Sequence, residues 1–541
     1  MKIALTYAPS EQQFLPVPPL GISALSQHLI NNRIKNDVID LELEMWIRLG
    51  NQSSEYAFKP LKELVIDKLP VDVLMDLLID YEVISFSVMG KRQIPYIQAI
   101  VQMLKNRKSK LQYVILGGVF FDENNAKEIL MDNSDFVDFI IIGEGWEPML
   151  TLLRTLLGKK EDYRIPGVAF LNSNKKFVFS ESRIWQGELP IPNYKKINKK
   201  GYIDQQTFLY GIQDDNIVYH VLVGDRKCPF NCSFCRISKN TKKIKPPKEI
   251  ANEMIELNKI SGASCFSLVC NEMNPSREYF EEFVETLLLK REKVTWFTYL
   301  RPDKLTKELL VKAREAGCVL IRYGVETGSQ KILDNMDKQL DIDEINQIMK
   351  YTYEAGIWNH INIITGYLYE DKSDIDLTLD FLEKNKKYIN SVRVNPFYIP
   401  VNSPIHLNPE KYGIKLRKNT GSYVQFDEIG CKWEEKQKKI EKSTAEVLLK
   451  CIDSDINFAG ILPFLVAKVV DYFGDIQKAE QWIKKEHNYL CKPISPDTAK
   501  WNLAHPDKRH IVINAWEKMA GKRGENYQTI VRINSDGEDS Y

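Results

Sequence analysis

Short continuous apolar runs recur in the first part of the chain, at 2–7, 37–39, 83–88, 113–116 and 139–142, separated by stretches with helical apolar spacing. Runs that are apolar on both faces, spaced by enough chain for crossover helices, predict an α/β domain with a doubly wound parallel sheet over residues 1–158. Such a sheet binds ligands at the carboxyl ends of its strands. The glycines fall there, in Leu116-Gly117-Gly118 after one run and Gly143-Glu144-Gly145 after the next. The pattern changes between 159 and 216. Val168-Ala169-Phe170, the turn Asn172-Ser173-Asn174 and Phe177-Val178-Phe179 predict a β-hairpin, and Leu189-Pro190-Ile191-Pro192 continues neither a helix nor a central strand. This segment is expected to be an inter-domain connector.

Strand and helix alternation returns over 217–404. Strands are predicted at 218–223, 265–269, 295–299, 319–323, 362–364 and 391–397, with helices at 247–259, 277–290, 307–316, 341–355 and 373–384. Repeated βα units predict a full or partial β/α barrel with its active site at the carboxyl strand ends. From 405 to 541 the pattern is mostly helical, with Lys- and Glu-rich faces, and this region is expected to shape the substrate site.

Composition narrows the function classes. The 541 residues suggest several domains, and 74 Lys and Arg against 73 Asp and Glu give a net charge of +1. That balance carries no overall electrostatic footprint for nucleic acid or an anionic membrane. No apolar stretch is long enough for a bilayer span, and the N-terminal apolar run is too short for a secretory signal, so a cytoplasmic protein is expected. Nine cysteines are present, none before Cys228, and then three fall within eight residues. Such clustering points to a reduced compartment and a metal or redox site rather than a disulfide framework.

The cluster reads Cys228-Pro229-Phe230-Asn231-Cys232-Ser233-Phe234-Cys235, a C-x3-C-x2-C spacing directly after a predicted strand. Three thiolates on one tight loop can ligate three irons of a [4Fe-4S] cluster and leave the fourth iron open. The alternative is structural zinc, which takes four closed ligands and favours paired C-x2-C motifs. Cys265, Cys270 and Cys318 lie in apolar strands and are expected in the core.

At these residues the chain resembles the radical S-adenosylmethionine (SAM) superfamily, whose motif has this spacing with an aromatic, here Phe234, before the last cysteine. Further elements follow in order. Asn271-Glu272 closes the second strand, where the family places an acidic group near the SAM amino end, and Tyr299-Leu300-Arg301 closes the third. Tyr323-Gly324-Val325-Glu326-Thr327-Gly328-Ser329 resembles the fourth-strand signature, whose Glu tends to lie near the SAM ribose. Gly366-Tyr367-Leu368-Tyr369-Glu370 is an eroded form of the fifth-strand motif. The resemblance thus implies SAM contacts from Phe234, Glu272, Arg301, Glu326, Ser329 and Gly366, and cluster ligation by Cys228, Cys232 and Cys235. Arg301 could equally be a structural ion-pair partner, and a lone Glu326 a salt-bridged strand-end carboxylate.

The N-terminal region resembles the cobalamin-binding domain fused ahead of many radical SAM enzymes. Pro18-Pro19-Leu20-Gly21-Ile22, Ile84-Ser85-Phe86-Ser87, Leu116-Gly117-Gly118 and Gly143-Glu144-Gly145 carry that resemblance. It implies cobalamin contacts from Pro19, Leu20, Ser85, Ser87, Gly117, Gly118, Gly143, Glu144 and Gly145. The Asp-x-His-x-x-Gly motif that supplies an axial histidine elsewhere is absent, and His28 is expected at the surface or at a helix cap. A degenerate domain that kept the sheet and lost the ligand remains open.

The combined resemblance implies a radical SAM enzyme using a [4Fe-4S] cluster, SAM and cobalamin to methylate an unactivated carbon of a peptide or natural-product substrate. A cobalamin-dependent cyclisation or rearrangement is the alternative, and a non-catalytic iron–sulfur or cobalamin sensor a further one. An electron donor such as flavodoxin or ferredoxin is the implied partner, with no nucleic acid. Relatives that methylthiolate RNA or ribosomal protein carry extra N-terminal cysteines, which this chain lacks. Beyond Pro404, Tyr423, Phe426, Trp433, Phe464, Tyr472, Phe473 and Trp482 are expected mostly in the core, and the charged run 434–442 on a solvated helix face. Cys431, Cys451 and Cys491 are too widely spaced to predict a second cluster.

Overall fold

The computed structural model describes residues 1–9, 17–49, 70–132, 135–159, 162–181, 187–195, 197–210, 215–224, 228–237, 244–290, 292–419, 423–454, 456–458 and 462–486. The chain divides into two compact units, one of Met1–Leu222 with Ile260–Gly262, the other of Val223–Lys259 and Ala263 onward.

In the first unit, β1 (Ile3–Tyr7), β2 (Asp37–Asp40), β3 (Val83–Ser87), β4 (Tyr113–Gly117) and β5 (Phe139–Ile141) form a parallel sheet in the order β2-β1-β3-β4-β5. Alternate residues face opposite sides of a strand, and here both sides are core. Val83, Ile115 and Ile141 join the apolar cluster on one face, while Ile84, Phe86, Leu116 and Ile140 join that on the other. This is why the strands read as unbroken apolar runs. The predicted hairpin, β6 (Val168–Leu171) and β7 (Phe177–Val178), does more than connect. It pairs antiparallel with β5 through Ile140 and Ala169 and so extends the sheet. The chain then passes through the helix Lys199–Tyr210 and β8 (Val218–Leu222).

His28, expected at the surface, is buried on the helix Leu20–Asn31, with its ring edge-on to Trp146 at 5.8 Å. Burial holds it below its ordinary pKa. The indole opposite supplies the apolar contact that single-residue spacing could not reveal.

In the second unit, β9 (Cys265–Val269), β10 (Thr295–Leu300), β11 (Cys318–Glu326), β12 (Trp358–Thr365) and β13 (Ser391–Pro396) lie side by side, parallel and in sequence order. Helices cover their outer face. Trp296 meets Phe280 and Phe283 edge-to-face at 6.3 and 5.2 Å, and Tyr323 Oη lies 2.9 Å from Thr352 Oγ1. Strand β12 has eight residues where three were predicted, because Asn359 and His360 break the apolar run, yet both are fully buried. The Asn359 amide nitrogen donates there to the carbonyls of Met349 and Tyr388. Cys265 and Cys318 are core residues, as expected.

The region after the barrel is less purely helical than its pattern predicted. A three-stranded antiparallel sheet, in the order β14 (Ile399–Pro400), β16 (Tyr423–Glu428), β15 (Ile414–Asn419), precedes the helices Trp433–Asp453, Leu462–Phe473 and Ile476–Glu486. The short strand β17 (Asn457–Phe458) pairs with β13. Phe426 and Trp433 are core, packing at 5.5 Å, and Tyr472 is exposed. The charged run 434–442 is not uniformly solvated, since Lys436 is buried and pairs with Glu428 at 2.7 Å. Cys431 and Cys451 are buried, and Cys491 lies outside the described residues.

Gly317 turns the chain into β11 with φ +96°, and a Cβ there would stand 1.9 Å from the Val294 carbonyl oxygen. Gly356 also has positive φ, but a Cβ would meet nothing closer than 3.9 Å. Gly317→Ala is therefore expected to cost about 3 kcal/mol or more and Gly356→Ala only about 1 kcal/mol. Urea unfolding followed by circular dichroism measures the difference, and equal losses would show that the close approach to Val294 does not set the cost.

Candidate active site at the carboxyl strand ends

The cysteine loop opens the second unit and is pinned by its neighbours. Ser233 N donates to the Met336 carbonyl at 2.9 Å, Ile405 N to the Ser233 carbonyl at 3.1 Å, and Cys235 N to the Cys232 carbonyl at 3.1 Å. The Ser233 hydroxyl lies 2.5 Å from that of buried Tyr367. Two cations hold the loop's aromatics. The Arg301 guanidinium stacks 3.5 Å above Phe230, and Lys338 Nζ lies 5.6 Å from the Phe234 ring. Such contacts contribute about 0.5–2 kcal/mol each, more as water is excluded.

Glu272 and Arg301 follow β9 and β10 and Glu326 ends β11, three adjacent parallel strands, so the topology brings them to one end of the sheet. Glu272 is buried, and its carboxyl is pushed up to about 7 by burial, with the hydrogen bond from Cys228, Arg301 and Lys338 pulling the other way. Its Oε1 has no hydrogen-bond partner among the described residues. Burial pushes the Cys228 thiol up to about 12, helped by Glu272, and raises Cys232 and Cys235 as well.

Arg301 is tied down on several sides, donating to the carbonyls of Lys338 at 2.7 Å and Gln339 at 3.3 Å and lying 3.4 Å from Asp303. Asn274 clamps the turn by accepting from Arg301 N at 2.8 Å and donating to the Arg301 carbonyl at 3.0 Å. Glu326 adopts φ +72° beside an irregularity in the β11–β12 register, and its Oε1 pairs with Lys338 Nζ at 2.8 Å. Burial lowers the Lys338 pKa, but Glu326 and Cys232 outweigh it and leave the ammonium raised. Gly324 makes room for this pair: a Cβ would lie 2.6 Å from Glu326 Oε1 and 2.9 Å from Lys338 Nζ.

Ser329 and Gly366, both expected near SAM, also have structural contacts. The Ser329 hydroxyl caps the helix Gln330–Asn335 and donates to Asp374 at 2.7 Å. Gly366, at φ +77°, presses on the helix Trp433–Asp453, where a Cβ would come 2.3 Å from Ile440 Cγ1. Its amide donates to Glu370, the last residue of the eroded motif. Pattern reasoning missed Lys338, Asn274, Asp303 and Tyr367. Lys338 carries no spacing signal, because it enters through a turn twelve residues after Glu326. Asn274 was findable only as a polar residue just beyond the acidic strand end.

The donor set fits a cluster better than a closed metal site. Thiolates are soft ligands suited to iron–sulfur clusters. A structural zinc site takes four closed ligands, whereas the loop offers three thiolates. The orphaned Glu272 oxygen beside Cys228 offers an acceptor for a cationic group bound there.

In the first unit, Pro19 precedes the helix Leu20–Asn31, Ser85 and Ser87 lie on β3, Gly117 ends β4 with Gly118 after it, and Gly143, Glu144 and Gly145 follow β5. Apart from Ser85, which lies inside β3 and is buried, these residues gather at the carboxyl ends of neighbouring strands. The edge is poor in side chains. Gly118 (φ +116°) and Gly143 (φ +85°) are exposed, and Met89 and Val119 stand beside them 49% and 57% exposed. Backbone without Cβ atoms, bordered by apolar side chains, suits close approach of a broad ligand.

Residues 224–382 match the radical SAM superfamily model. The anaerobic magnesium-protoporphyrin IX monomethyl ester cyclase of Cereibacter sphaeroides is 27% identical over 259 residues, 46% of this chain and 41% of that enzyme. This chain therefore spans less than half of that relative's length. Among solved structures, the cobalamin-dependent S-adenosylmethionine radical enzyme OxsB, with aqua-cobalamin and S-adenosylmethionine bound, superposes with a TM-score of 0.60 at 16% identity, over 96% of this chain and 77% of that one. The radical S-adenosylmethionine methyltransferase TsrM of Kitasatospora setae, with cobalamin and a [4Fe-4S] cluster bound, gives 0.57 at 11%, over 89% and 100%. Residues 224–382 thus form a radical SAM domain, in a chain that shares its fold with cobalamin-dependent radical SAM enzymes.

Proposed function

We propose that this chain is a cobalamin-dependent radical SAM enzyme that C-methylates an unactivated carbon of a peptide or natural-product substrate. The observation that carries the reading is the gathering of Cys228, Cys232 and Cys235 with Glu272, Arg301 and Glu326 at one end of a parallel sheet. Cys228, Cys232 and Cys235 would hold a [4Fe-4S] cluster. Glu272 would accept from the SAM ammonium with its free Oε1, and Glu326 would face the ribose. In the first unit, the glycine loops after β4 and β5, with Pro19, Leu20, Ser85 and Ser87, would hold cobalamin. Bound together, these groups supply one-electron cleavage of a SAM carbon–sulfur bond, a 5′-deoxyadenosyl radical and a transferable methyl group.

The chain's own residues orient and insulate. Arg301 and Lys338 fix the cysteine loop through its aromatics. Tyr367 and Ser233 lock its inner side, and the apolar cluster of Phe397, Phe426 and Trp433 shields the adjoining turn from water. Flavodoxin or ferredoxin is the proposed electron donor, and the likeness in fold to the methyltransferase TsrM supports the methyl-transfer reading. The likeness to the Cereibacter cyclase supports a second reading, cyclisation or rearrangement without methyl transfer.

Anaerobic reconstitution is expected to give about four irons per chain, falling to near zero in Cys232→Ala and unchanged in Cys431→Ala and Cys451→Ala. About eight irons would require a second cluster. With reductant, SAM, cobalamin and substrate, the product mass is expected to rise by one methyl group, and only when cobalamin is present. Conversion that proceeds equally well without cobalamin would remove the reading, and a product lacking the methyl group would favour rearrangement.

A further inference from the structure

The stretch of chain that carries the three cysteines leaves at Val223-Gly224 and returns at Ile244-Lys245. Its two ends meet in a short antiparallel bridge between Gly224 and Ile244, where Lys245 N donates to the Val223 carbonyl at 2.9 Å. Val223 N in turn donates to the Val269 carbonyl at 3.2 Å, which ties this closure to the end of β9. Cys228 is the first cysteine beyond it, four residues after Gly224.

Lys245 is fixed at three points. Its amide reaches Val223, its carbonyl accepts from the Tyr279 hydroxyl on the helix Arg277–Lys290, and its ammonium pairs with Glu253 on the helix Pro247–Ser261. Pro246 follows it, which favours extended backbone at Lys245 and leads the chain straight into that helix. The two charged side chains are withdrawn from water, 6% and 2% exposed. A pair of this kind stabilises little, because desolvating two ions offsets most of their attraction. Burial pushes the Glu253 carboxyl up to about 7 against the pull of Lys245, and Glu253 Oε1 has no hydrogen-bond partner among the described residues. Two apolar side chains would fill the same space at lower cost. What they would lack is a directed bond between the returning end of the loop and the helix.

We propose that the Lys245–Glu253 pair is a positioning device for the metal centre, holding the closure of the loop so that Cys228 keeps its place beside Cys232 and Cys235. The inference rests on the functional reading above, in which these three cysteines hold a [4Fe-4S] cluster.

Two rates test it on the full-length chain, each taken at the same interval below the Tm of the protein measured. The anaerobically reconstituted protein is mixed with an iron chelator and iron release is followed by absorbance. The cluster-free protein is treated with iodoacetamide and labelling of Cys228 is timed by mass spectrometry. Lys245→Met is expected to release iron and to label Cys228 about tenfold faster than the wild type, because the closure opens more often. It should also melt lower, since Glu253 is left buried without its partner. The double variant Lys245→Met with Glu253→Leu removes the stranded charge and should regain the wild-type Tm, yet keep the fast release and the fast labelling. A pair that serves stability alone predicts slow release and slow labelling in the double variant. Wild-type rates there, by either measurement, overturn the proposal. If the wild type binds no iron, the functional reading falls and the labelling of Cys228 alone decides the positioning role.

Discussion

Lys338 and Glu326 meet at 2.8 Å with both side chains almost fully withdrawn from water, and the candidate active site is assembled around that pair. Removing either partner from such a buried pair costs about 3–5 kcal/mol, because the other is left charged and unsolvated. The geometry is correspondingly specific. The Lys338 carbonyl receives Arg301, Arg301 stacks on Phe230, and the ammonium of Lys338 faces Phe234. Lys338 therefore anchors both aromatics of the cysteine loop, one through its carbonyl and Arg301 and one through its ammonium, and Gly324 leaves room for the pair.

The two units use the same architectural device at different scales. Each is a parallel sheet that delivers chemistry-bearing residues to its carboxyl strand ends, where backbone groups point outward and connecting loops are free to vary. The first unit presents mainly backbone, in exposed glycines bordered by Met89 and Val119. The second presents charged and thiol side chains, so its surroundings must compensate burial with ion pairs and hydrogen bonds. That difference matches what each end is proposed to hold, a broad ligand against backbone and a cluster with a zwitterion against side chains.

Much of this was legible in the sequence because strong local patterns were present. Apolar runs with helical spacing between them marked both sheets, and three cysteines in eight residues marked the loop. Glu272, Arg301 and Glu326 were found by their positions at strand ends. What escaped depended on contacts between distant residues. Lys338 has no periodicity, and its role exists only because a turn returns it to Glu326. Asn359 and His360 hid the first half of β12, since a polar residue buried within a strand looks like a surface residue in sequence. The small sheet of β14, β15 and β16 was missed although Ile414, Leu416, Val424 and Phe426 alternate with polar residues, because its charged outer face resembles that of a helix. Ser329 and Gly366 matched motif positions, and the helix cap and the close approach to Ile440 that they also make were not visible in the pattern.

Tyr367 occupies the eroded part of the fifth-strand motif, and its two ends serve different masters. Its carbonyl accepts from Lys436 on the helix Trp433–Asp453 at 2.7 Å, while its hydroxyl lies 2.5 Å from Ser233 inside the cysteine loop. A single rigid side chain is thus the strut between the segment expected to shape the substrate site and the loop expected to carry the metal. Movement of that helix is thereby coupled to the loop through one aromatic residue, beside the backbone bond from Ile405 to Ser233.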